Sequence, residues 1–75
     1  MPSFNSIFGA VDISTRPKRR RAVSLIITQL SRIRQAESDY MERIPKSMID
    51  GDAYAAADDS VDLLTDAILY LMDAY

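Results

Sequence analysis

The chain has 75 residues, of which 48% are hydrophobic and 27% charged, with a net charge of −2, no cysteine and no histidine. That composition is globular rather than disordered, and the length allows one domain, near the size at which a single core barely suffices. The missing residue types exclude disulfides and thiolate metal sites, and remove the commonest general base and the most reactive nucleophile. No stretch approaches the roughly 20 apolar residues a membrane span needs, and the basic run follows the first apolar residues instead of preceding them, unlike a secretory signal. A cytoplasmic protein is the expectation, with an organellar transit peptide the minor alternative for the Arg- and Ser-rich first half.

The small net charge hides a polarity. Residues 1–36 hold seven bases and one acid (+6), and residues 37–75 hold ten acids and two bases (−8). Opposite halves of one chain attract, so the asymmetry bears on folding before it bears on partners.

Residues 1–15 form an arm carrying Phe4, Ile7, Phe8, Val11 and Ile13 around Gly9. The arm is expected to dock its aromatics on the helices or on a partner, with insertion into a membrane or groove as the alternative.

A first helix is predicted from about 16 to 44. Ser14 or Thr15 can cap it, and Pro17 sits in the first turn, where its missing N–H is harmless. Val23, Ile26, Leu30, Ile33, Glu37, Tyr40 and Ile44 recur at spacings of 3 and 4, one face of a helix, and Pro45 disfavours continuation. Glu37 interrupts that stripe and should either end the seam locally or pair with a base across it.

The connection 45–51 is too short for a long third element. Met48 and Ile49 are expected to close the bottom of the core, and Asp50 or Asp52 to cap the second helix. That helix, about 52–74, shows the stripe Tyr54, Ala57, Val61, Leu64, Ile68, Leu71, Tyr75. Beside it lie Ala56, Leu63, Ala67, Tyr70 and Ala74, with Leu69 and Met72 outside both stripes. This apolar arc is wider than one neighbouring helix covers. A second cover is required, either another copy of the chain or the arm.

Arg16, Lys18, Arg19, Arg20 and Arg21 form the one run able to grip phosphates. In an antiparallel hairpin this run also lies beside the acidic end of the second helix, with Asp66, Asp73 and the terminal carboxylate, which it is expected to complement. No aromatics interleave with the bases, so nucleic-acid contact would be confined to one tip. Asp59, Asp62, Asp66 and Asp73 line successive turns and read as a solvated ridge, a weak divalent-cation site or a docking edge for a basic partner being the alternatives. Asp50-Gly51-Asp52 fails the calcium-loop pattern, because Ala55 and Val61 stand where glycine and glutamate are needed. Tyr40, Tyr54, Tyr70 and Tyr75 suit partly wet contacts better than chemistry. No catalytic constellation is present, so neither an enzyme nor a cofactor is expected.

Glu37, Asp39, Tyr40, Glu42, Ile44-Pro45, Gly51 and the run Ala57, Val61, Leu64, Ala67, Ile68, Leu71 carry a resemblance. The segment from about Glu37 to Ala74 resembles a group of small uncharacterised bacterial proteins, some carried by phages and mobile elements. These have an acidic helix ending in an aromatic and an Ile/Leu-Pro pair, a short turn, and a helix repeating alanine, acid and leucine. The chain differs from them in its apolar arm and its density of arginines. The resemblance implies architecture and no particular activity.

The expectation is an all-α fold, an antiparallel two-helix hairpin with coiled-coil-like stripes (16–75) behind an arm (1–15), pairing into a four-helix bundle. Its function would be that of a non-enzymatic assembly or adaptor module, forming a homodimer or higher oligomer or binding another protein. Val61, Leu63, Leu64, Ala67, Ile68, Tyr70 and Leu71 would carry self-association. A nucleic-acid-binding accessory protein using residues 16–21 is the alternative.

Overall fold

The computed structural model describes residues 11–75, and the expectations for Phe4, Ile7 and Phe8 lie outside the described residues. Two α-helices, α1 (Arg16–Arg43) and α2 (Asp52–Ala74), pack against each other as a hairpin, joined through a single 3₁₀ turn at Lys46–Met48. Among the described residues there is no strand.

Local chemistry fixes the start and end of α1. Thr15 is its N-cap, with extended backbone, and its hydroxyl accepts from the Lys18 N–H at 3.3 Å. That bond satisfies one of the unpaired N–H groups of the first turn, and Pro17 adds none to be satisfied. At the other end Ile44 turns to extended backbone before Pro45, with its N–H on the Met41 carbonyl.

The connection departs from expectation in two ways. Met48 and Ile49 are exposed and close no core. Gly51, rather than Asp50 or Asp52, is the N-cap of α2, and it makes no side-chain cap bond. Its N–H donates to the Met48 carbonyl at 3.0 Å, and a Cβ there would stand 3.1 Å from that same oxygen. The tight turn thus favours the residue with no side chain, while Asp52 enters the first turn and faces the positive helix end.

The inward stripe of α2 is the one the spacing predicts. Ala57 and Ile68 are buried, 3% and 5% exposed, and Tyr54, Val61, Leu64 and Leu71 are half-buried on the same arc. On α1 the seam is rotated. Ile33 and Tyr40 are exposed, whereas Arg34 and Met41 are half-buried alongside Ile27 and the five other predicted stripe residues, Val23, Ile26, Leu30, Glu37 and Ile44. Spacings of 4 and 3 are equally compatible with one helix face, so the period alone does not choose between 33/40 and 34/41. The chemistry of Arg34 does: its stem lies along the seam while its Nη1 reaches Thr65 Oγ1 at 3.5 Å.

No side chain larger than Ile68 is buried among the described residues. The hairpin therefore has a seam but hardly an interior.

Candidate functional site

Two observations define the sides of the hairpin. On one side of the seam Arg34 meets Thr65. On the other, Tyr40 of α1 and Asp52 and Ala53 of α2 line a common cleft of about 390 Å³ beside the turn. Two helical turns before Tyr40 lies Ile33, and a little over two turns before that lies Leu25. Five turns on from Asp52 lies Tyr70, and three turns on lies Leu63. Ile33 and Tyr40 therefore lie on the cleft's side of the hairpin, while Leu25, Leu63 and Tyr70 fall on that side but turned toward the outer surface of their helices, and all five are exposed. Leu63 is 68% and Tyr70 78% exposed, values usual for lysines rather than for large apolar groups.

The opposite flank is built differently. The positions on the same side as Arg34 and Thr65 are Ser24, Ser31, Gln35 and Ser38 on α1, and Asp58 and Asp62 on α2. Only Leu69 and Met72, near the end of α2, break its polar character. Asp66, Leu69, Tyr70 and Asp73 enclose a shallow hollow of about 300 Å³ on the outer surface of α2.

The expected self-association residues divide. Val61, Leu64, Ile68 and Leu71 lie in the seam against α1, Ala67 is half-buried at its border, and Leu63 and Tyr70 face outward. The structure adds Leu25, Ile33 and Tyr40 to the exposed apolar set. A second stripe on α1 at 22, 25, 29, 33, 36 and 40 was the signal available in the sequence, diluted by Gln29 and two alanines.

The basic run is fully displayed: Arg16, Lys18, Arg19, Arg20 and Arg21 are all exposed. Its contacts differ from the expected pairing with Asp66 and Asp73. Lys18 Nζ pairs with Asp12, Arg19 Nη1 donates to the Ile13 carbonyl at 3.2 Å, and Arg16 lies 4.7 Å above the Tyr75 ring. The last contact is a cation–π pair that ties the start of α1 to the end of α2. Asp12 also accepts from the Ser14 N–H at 2.9 Å. The Lys18 ammonium and the Ser14 bond hold its carboxyl down, from an ordinary 3.8 to about 2.

Lys18–Asp12 is the single ion pair among the described residues. Glu37, half-buried in the seam, has no base across it, since α2 contains none. Among the described residues no helix is long and apolar enough to cross a membrane, and no cluster of three or more acidic, histidine or cysteine side chains is placed to hold a metal ion. No family model, curated protein or solved structure matches the chain.

Proposed function

We propose that the chain is a non-enzymatic assembly module whose hairpin self-associates, two copies forming a four-helix bundle. The observation that carries this reading is the exposed apolar flank, which a monomer would leave in water over the length of both helices. It is supported by the near absence of an interior: a second hairpin would convert a one-seam structure into one with a shared core. Measuring mass by sedimentation equilibrium over a wide concentration range tests the reading. A mass of twice 8.4 kDa or more, together with a melt that shifts upward with concentration, is expected. A monomer throughout, with a concentration-independent melt, would defeat it.

A second reading, phosphate contact by the basic run, is favoured by the exposure of all five cations and by the absence of a carboxylate partner for Arg20 and Arg21 among the described residues. It predicts binding to duplex or single-stranded nucleic acid that weakens steeply with salt. Binding that is unchanged when Arg19, Arg20 and Arg21 become alanine would remove it.

A further inference from the structure

We infer that the apolar flank takes a second copy of this chain with α1 of each copy lying over α2 of the other, about a two-fold axis parallel to the helices. The inference rests on the self-association reading and adds the face and the orientation.

Charge selects the occupant. Within its bounds α1 holds eight bases and three acids (+5), and α2 holds six acids and no base (−6). These charges do not meet inside the hairpin, for the single ion pair among the described residues lies at Asp12 and Lys18, and none joins α1 to α2. The complementarity is left on the outer edges of the helices, where it is available to a partner. A copy of the same hairpin supplies the matching pattern.

Charge also selects the orientation. A face-to-face pair related by a two-fold axis has two arrangements with the helices aligned. With the axis across the helices, α1 lies over α1 and +5 faces +5. With the axis along them, α1 lies over α2 and each basic edge runs beside an acidic one. With Arg34 across from Thr65 and Arg16 across from Tyr75, the helices' register puts Arg32 level with Asp66 and Arg43 level with Asp52. Asp39, held by Gln35 Nε2 at 3.0 Å, falls near Asp59 and is the exception. Neighbouring helices are antiparallel throughout this arrangement, so their dipoles also oppose.

The size is sufficient. A strip about 34 Å long and roughly two helix diameters wide offers roughly 700 Å² per copy. That makes about 1,400 Å² in the pair, within the usual range for stable dimers.

The test is charge reversal in the full chain, followed by sedimentation velocity, with helicity checked by circular dichroism. Arg32→Asp and Asp66→Arg should each weaken dimerisation about five- to tenfold, because symmetry makes each act twice, and the double variant should recover most of the loss. Dimerisation strengthened by Arg32→Asp would mean α1 over α1 and overturn the arrangement. Association indifferent both to these variants and to Leu63→Glu would place the contact elsewhere, overturning the inference but not the self-association reading. A wild-type monomer at every concentration would overturn both.

Discussion

The two flanks of the hairpin share the same helices, the same turn and the same seam, yet differ in what they offer a neighbour. One presents Leu25, Ile33, Tyr40, Leu63 and Tyr70; the other presents serines, Gln35, Asp58 and Asp62, with Leu69 and Met72 only near the end of α2. Solubility requires only that apolar groups be scattered, and scattering would have placed them on both flanks. Over most of the hairpin's length they gather on one side, Leu69 and Met72 near the end of α2 being the exceptions, as the proposed self-association through that side requires.

A real seam must separate the flanks, and the largest predicted effect tests it. Ile68→Ala removes the bulkiest buried group and should destabilise the hairpin by about 2–4 kcal/mol in urea melts. Leu63→Ala, on the exposed flank, should cost a monomer under about 0.5 kcal/mol. If the two cost the same at concentrations where the chain is monomeric, seam and flank are not distinct.

The second prediction sets flank against flank. Leu63→Glu should weaken self-association at least about tenfold, or roughly 1.4 kcal/mol, because a carboxylate would be carried into the shared core. Gln35→Glu on the polar flank also adds one negative charge, but where water remains, and should leave the affinity within about twofold. Equal losses would show that net charge rather than the apolar flank governs association.

Legibility in the sequence tracked the strength of the local chemistry. Thr15 with Pro17, and Ile44 before Pro45, mark the ends of α1 through capping and steric rules that act within a few residues. The inward arc of α2 was readable because Ala57, Val61, Leu64, Ile68 and Leu71 are all apolar, whereas the stripe beside it is mostly alanine. The α1 seam was readable at Val23, Ile26, Leu30, Glu37 and Ile44 but not at its two remaining positions, since Arg34 and Met41 look less apolar than Ile33 and Tyr40. Arg34 is admitted by a long stem and by Thr65, a residue 31 positions away. The apolar flank was half legible: its α2 half stood out as an excess arc, but its α1 half was assigned to the seam. The N-cap of α2 was misread because aspartate preference competes with the crowding of Gly51 against the Met48 carbonyl, which only the folded turn reveals.

That crowding gives a smaller effect at the end where the flanks join. Gly51→Ala should destabilise by about 0.5–1 kcal/mol, since alanine is a poorer N-cap and its Cβ would press on a hydrogen-bonded backbone oxygen 3.1 Å away. The Gly51 backbone lies at φ −84°, open to any residue, so the cost is one of space and capping. A stabilised Gly51→Ala variant would mean that the turn relaxes freely.

The smallest effect lies at the opposite end, where Asp12 holds Lys18 at the entrance to α1. The Asp12 carboxyl is depressed from 3.8 to about 2, chiefly by Lys18 and then by the Ser14 N–H. A carboxyl lowered on folding contributes stability that is complete above its unfolded value and is lost as pH falls through the folded one. The contribution should therefore be present at pH 5 and disappear between about pH 4 and pH 2. Asp12 is open to solvent and salt screens the pair, so the change belongs to the fraying of the first turn of α1 rather than to global unfolding. A carbon-detected NMR titration should place the Asp12 midpoint near 2, and Lys18→Ala should return it most of the way to 3.8. If the midpoint is ordinary in the wild type, the ion pair is not populated in solution. Lys18 would then join Arg20 and Arg21 as a cation available to phosphate, which would strengthen the second reading of the basic run at the expense of its structural one.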